Sequence, residues 1–109
     1  MKREFRITKN EEFSKIVSKK KSFANDFFVL YTNDRRENHC RAGISVSKKL
    51  GDAVVRNKIK RQIRMMIINT IDFDNYPLDL IVIARQKYLE NSFEDNQKQL
   101  EKLSKKAII

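Results

Sequence analysis

"RAGISVSKKLGDAVVRNKIKRQIR", Arg41 to Arg64, runs through a strand, a turn and the start of a helix without interruption. Ala42, Ile44 and Val46 alternate with Gly43, Ser45 and Ser47. This period of two puts apolar side chains on one face of a strand and small ones on the other. Gly51-Asp52 breaks the period, and from about Val54 to Asn69 it becomes helical. At about 100° per residue, Val55, Ile59, Ile63, Met66 and Ile67 fall in an arc of about 120°, the width of an ordinary core-facing stripe. Arg56, Lys60 and Arg64 follow at i, i+4, i+8, a rail about 12 Å long at the helical rise. Asn57 and Arg61 sit beside that rail, and Lys58 points further away.

The run holds eight Lys and Arg but a single acid, Asp52. Like charges at i, i+4 cost an isolated helix about 0.2–0.5 kcal/mol per pair, and no Glu or Asp within this helix offsets them. A merely solvated face would be more stable with mixed signs. A row of one sign fits a surface whose counter-charge arrives with a partner. Asp52 is placed to cap the helix N-terminus, where it would compete with a phosphate for the same backbone donors. Asn57, the uncharged polar residue of the rail, can both donate and accept hydrogen bonds. Lys48 and Lys49 extend the basic surface from the end of the strand.

Moving outward, Thr8 followed by Glu11 has the spacing of a capping box, and Phe13, Ile16 and Val17 recur at helical spacing, predicting a first helix over Thr8–Lys20. In "SFANDFFVLYTN", Phe27, Val29 and Tyr31 alternate with Phe28, Leu30 and Thr32, so both faces are largely apolar, as in a strand covered on two sides. "LDLIVIAR" reads as a buried strand after the loop "DFDNYP". Asn91 or Ser92 can cap a last helix whose Phe93, Leu100, Leu103 and Ala107 face a core. Helices on a small mixed sheet make an α+β sandwich.

With 109 residues and 40% apolar content, the chain fits one domain, residues 1–109, with one core. Cys40 is the single cysteine and His39 the single histidine, so no internal disulfide or zinc set is expected, and a reducing, cytoplasmic compartment is. No apolar run reaches the roughly 20 residues of a membrane span, and the basic N-terminus has no apolar core of a signal peptide. The net charge of +10 is uneven: residues 1–71 carry eighteen Lys and Arg against seven Asp and Glu, whereas residues 72–109 carry six against seven. RNA, DNA or an anionic membrane surface would each answer that field. The helix's apolar arc is already spent on a core, which argues against a membrane. Helix–turn–helix spacing is absent, which weakens the case for DNA.

The aromatics lie mostly upstream. Phe28 belongs to the core. Phe13 reads either as core or as one wall of a groove. Tyr31, whose hydroxyl needs a partner or water, reads either way as well, and unpaired bases stack on such rings. Gly43, Ser45 and Ser47 offer a floor of small residues.

The run from Arg41 to Arg64, with "FVLY" upstream and "LIVIAR" downstream, resembles the signature of the protein subunit of bacterial ribonuclease P, and the resemblance extends from about Phe5 to Leu103. It implies an αβββαβα two-layer sandwich of the kind found in a domain of ribosomal protein S5. It also implies a left-handed βαβ crossover through the basic helix. Such crossovers are right-handed in nearly all cases, so this hand rests on the resemblance alone. The implied function is that of an accessory subunit. The RNA subunit, with bound magnesium, removes the 5′ leader from precursor tRNA, while the protein docks on that RNA and holds the leader. The resemblance places Lys49, Arg56, Asn57, Lys60, Arg61 and Arg64 against the catalytic RNA, and Phe13, Val17, Tyr31, Ser47 and Lys48 along the leader groove. Lys58 stands where the family often has arginine, keeping the charge without the planar fork. Val17 stands where relatives often carry an aromatic. Magnesium would be held chiefly by RNA and substrate, and neither a membrane nor an obligate protein partner is expected.

Two other readings stay open on the residues alone. A general RNA-binding or ribosome-associated module needs the basic helix but no groove. A protein-only nuclease needs clustered carboxylates for magnesium, and the acids here are scattered, with Asp72 and Asp74 in a loop outside the basic half.

Overall fold

The computed structural model describes residues 1–109. The elements run α1 (Asn10–Ser18), β1 (Ser22–Ala24), β2 (Phe28–Asp34), β3 (Ala42–Ser45), α2 (Ala53–Thr70), β4 (Leu78–Ala84) and α3 (Phe93–Lys106). The order is αβββαβα, and the four strands form one mixed sheet ordered β1-β2-β4-β3. β1 pairs antiparallel with β2, and β2 with β4. β3 and β4 are parallel, with α2 as the crossover such a pair requires.

Each face of the sheet has its own cover. Phe28, Leu30 and Thr32 of β2 stand opposite Ala84, Val82 and Leu80 of β4 and are buried on one face. α2 and α3 close that face with Ile59, Ile63, Met66, Ile67, Leu100 and Leu103. Ile63, Met66 and Ile67 are fully buried, each worth about 1.5–3 kcal/mol of hydrophobic stabilisation. On the opposite face α1 lays Ile16 over Ile81, with Ile7 completing a smaller cluster. The alternation of β2 therefore serves two separate cores.

Local chemistry departs from the sequence reading at three points. Thr8 does not cap α1: the helix starts at Asn10 after Lys9, with no side-chain cap. The chain before it is held extended, where Arg6 bridges to Ala42 and the Ile7 N–H donates to the Ala42 carbonyl at 3.0 Å, so tertiary pairing overrides the capping box. "SFANDFFVLYTN" is a hairpin rather than one strand, because Asn25 Oδ1 accepts from the N–H groups of Phe27 and Phe28, both at 2.9 Å, and turns the chain. Val55, expected in the core, is 37% exposed. It lies in the first turn of α2 against Gly51. There φ is +146° and a Cβ would come within 2.9 Å of Val55, so the turn requires glycine twice over.

Candidate nucleic-acid interface

Asp52 caps α2 as its spacing suggests, its Oδ1 accepting from the Val55 N–H at 3.0 Å. Ser92 caps α3 in the same way through the Asp95 N–H at 3.1 Å. With one face of α2 fixed on the sheet, its cations take two positions. Arg56, Lys60 and Arg64 are half-buried on the flank beside β3. Lys60 and Arg64 join Arg6 around a cleft lined also by Met1, Ile7 and Ile44, with no acid in its wall. The Nε of Arg56 is buried without a hydrogen-bond partner. Asn57, Lys58 and Arg61 stand exposed on the outer surface. Lys48 and Lys49 are exposed in a 3-10 helix, Lys48–Leu50, rather than ending β3. The chain's ion pairs join Glu12, Asp26, Asp79 and Glu101 to Arg36, Arg41, Lys87 and Lys105. None reaches a cation of α2 or the preceding lysines.

Arg41 is the exception in the basic run. Its Nη1 and Nη2 grip both oxygens of Glu12 at 2.8 and 2.9 Å, and Nη2 also donates to Asp79 Oδ2 at 3.0 Å. Its backbone N–H donates to Asp79 Oδ1 at 3.0 Å. Arg36 adds a further contact to Glu12. One guanidinium thus ties α1 to β3 and β4. The hydrogen bond from Arg41 is the main influence holding the Glu12 carboxyl below its ordinary range, against the opposing effect of burial, with Arg36 helping. Glu12 in turn raises the Arg41 value, despite burial, with Asp79 adding to it.

Beyond this latch, α1 brings Phe13 and Val17 together with Tyr31 and Ile83 around the small core. Phe13 packs on β3 at Gly43, where an added Cβ would lie 3.1 Å from the ring. Cross-strand register then defines two rows on this face. α1 covers the row Tyr31–Ile81–Gly43, while the row Val29–Ile83–Ser45 is only half-buried. We take this half-buried strip, one residue wide across three strands and next to the packed side chains of Phe13, Val17 and Tyr31, as the candidate groove beside α1. Ser47 and Lys48 lie just past β3 at the groove's end. The Ser47 hydroxyl accepts from the Lys49 N–H at 3.1 Å. Val29 and Ile83 escaped the sequence reading, since only strand pairing tells which residues sit beside Ser45.

No group of three His, Cys, Asp or Glu is arranged to hold a metal. Glu12 and Asp79, the acids behind the groove, are engaged by Arg41. Cys40 is buried, and burial pushes its thiol up to about 12, which leaves it protonated and unreactive. No helix is long and apolar enough to cross a membrane.

A family model described as Ribonuclease P matches residues 1–108. A ribonuclease P protein component from Mesoplasma florum is 50% identical over 98 residues, covering 89% of each chain. One from Bacillus pumilus is 43% identical over 110 residues, covering all of this chain and 92% of its own. The solved structure of the Staphylococcus aureus RNase P protein superposes with a TM-score of 0.82 at 44% identity, covering 94% of both chains.

Proposed function

Because this chain belongs to the ribonuclease P protein family, we propose that it serves as the protein subunit of a cytoplasmic ribonucleoprotein in which α2 binds the catalytic RNA and the groove beside α1 holds the 5′ leader of precursor tRNA. As a ribonuclease P protein component it is part of a tRNA-processing enzyme. In this reading the RNA makes the cut and the protein alone cleaves nothing.

The observation that carries the proposal is the division of cations: Arg41 has its acids inside the fold, whereas Lys49, Arg56, Lys60, Arg61 and Arg64 have none. RNA phosphates supply the missing charge, and Asn57 among them can bond a phosphate or a 2′-hydroxyl. The groove supports the second half. Phe13, Val17 and Tyr31 offer apolar walls for unpaired bases, and Ser47 and Lys48 offer polar groups for the backbone where the strip ends. Glu12 and Asp79 are engaged by Arg41, and in this reading magnesium is held by the RNA and the substrate.

The test is binding of precursor and mature tRNA to the particle reconstituted with wild-type protein or Tyr31→Ala. Only the precursor has a leader, so the variant should lose about 1–3 kcal/mol for precursor, the contribution of one stacked base, and little for mature tRNA. Equal losses in a folded variant would replace this reading with that of a general RNA-binding module. Addition of the wild-type protein should also raise cleavage of precursor tRNA by the RNA subunit at low magnesium.

A further inference from the structure

The outer pole of α2 carries more than charge. Val54 is 78% exposed, Met65 50% and Ile68 43%, three of the chain's seven exposed large apolar side chains. At about 100° per residue they fall with Lys58 and Arg61 within an arc of about 80°, opposite the face buried on the sheet. The flank with Arg56, Lys60 and Arg64 bounds this stripe on one side. On the other, the Tyr88 hydroxyl donates to Gln62 Oε1 at 2.8 Å and the Asn69 amide donates to Gln97 Oε1 at 2.9 Å, sealing α2 to the chain around α3. The stripe runs about 21 Å along the helix axis. The fold gains nothing from it: no other element of the chain covers it, and Lys or Gln would serve the helix equally well.

Its charge selects the occupant. Lys58 and Arg61 sit between Val54 and Met65, with no acid in the stripe. A second copy of this chain would bring cation against cation, whereas a polyanion answers them. A phosphate backbone alone would have no use for Val54, Met65 and Ile68. Apolar side chains meet nucleic acid at the faces of unstacked bases, where Met and Ile wedge against the ring, and a thioether adapts its shape to such a surface.

We propose that the outer stripe of α2, Val54, Met65 and Ile68 around Lys58 and Arg61, receives unstacked nucleobases of the catalytic RNA, so that this helix reads exposed bases as well as phosphates. The inference rests on the reading that α2 faces that RNA.

Apolar and phosphate contacts differ in their response to salt. Each phosphate neutralised adds about 0.7–0.9 to the slope of log affinity against log salt, whereas contact with a base face releases no counterion. The experiment measures binding of the full-length protein to the ribonuclease P RNA across a salt series, for wild type, Met65→Gln/Ile68→Gln, Val54→Gln and Arg61→Ala. The double variant should bind about tenfold more weakly at every salt concentration with the slope unchanged, an effect at the lower end of one stacked base. Val54→Gln should act in the same direction from the other end of the stripe, so an unfolded double variant would leave the question to it. Arg61→Ala should lower the slope. Wild-type affinity in both Gln variants would overturn the proposal. So would a self-associating wild type, seen by sedimentation, that becomes monomeric on Met65→Gln/Ile68→Gln, since the stripe would then seat a second copy. An Arg61→Ala variant indistinguishable from wild type would instead overturn the placement of α2 on RNA.

Discussion

Arg41 and Arg61 belong to one basic run, yet the fold treats them in opposite ways. Arg41 is enclosed, its side chain 13% exposed, and reaches Glu12 and Asp79, whose side chains are 12% and 0% exposed. Arg61 is exposed on α2 and reaches no acid. The difference separates charge that builds the protein from charge that is offered outward. Buried charge needs a partner inside the fold, because desolvating it alone costs several kcal/mol. Exposed charge of one sign costs the fold little and is available to a partner.

The contrast breaks most visibly at Arg41. Arg41→Met leaves the fully buried Asp79 carboxyl without its cationic partner and should cost about 3–5 kcal/mol in denaturant unfolding at neutral pH. Adding Asp79→Asn should recover part of that loss. It removes the stranded charge, and the amide oxygen still accepts from the backbone N–H at position 41. A double variant as unstable as Arg41→Met would mean that packing, not the stranded charge, dominates at this site.

Glu12 sharpens the same side of the contrast. Glu12→Gln leaves Arg41 paired with Asp79 and should cost about 1.5–3 kcal/mol, the range for hydrogen bonds to charged groups. The folded-state value of Glu12 is depressed, so its stabilisation is complete above the unfolded carboxylate value of about 4.3 and is lost as pH falls through the lower folded value. The gap between wild type and variant should therefore stay constant from neutral pH down to about 5 and close in stronger acid. A gap independent of pH would show that shape, not charge, holds Glu12. Since Glu12 precedes Phe13 in α1, the variant also tests whether the latch keeps the groove wall in place.

The same two regions show what could be read from residues alone. The apolar arc of α2 was legible at Ile59, Ile63, Met66 and Ile67 because helical periodicity is local. So were the caps at Asp52 and Ser92. The resemblance supplied the third strand before α2, which the alternation in "SFANDFFVLYTN" concealed until the side chain of Asn25 turned it. The role of Arg41 was not legible: its partners come from Glu12 and Asp79, far away in sequence, and it counted there as one more free cation. The groove was half-legible. Phe13, Val17, Tyr31 and Ser45 could be named, but Val29 and Ile83 join them only through strand register. Thr8 misled because pairing with Ala42 holds the chain before α1 extended, and Val55 because the first turn of α2 sets it against the Gly51 turn and leaves it 37% exposed.

The smallest effect on the fold belongs on the outward side, at Arg64. Its side chain is half-buried beside Lys60 and Arg6 around a cleft with no acid, so it sits among cations that repel it. Arg64→Ala removes that repulsion and some packing of the aliphatic stem, and the two oppose each other, so unfolding free energy should change by about 0.5 kcal/mol or less, as at surface sites without special contacts. Binding to the catalytic RNA should nevertheless weaken, with the salt slope falling by about 0.7–0.9 for one lost phosphate contact. Arg64→Lys discriminates further: it keeps the point charge and so the slope, but gives up the planar fork. Restored slope with incomplete affinity would mean that the guanidinium bonds a phosphate in a fixed geometry. Full restoration of both would mean that only its charge is used. A stability loss in Arg64→Ala comparable to that of Arg41→Met would erase the distinction between the two regions.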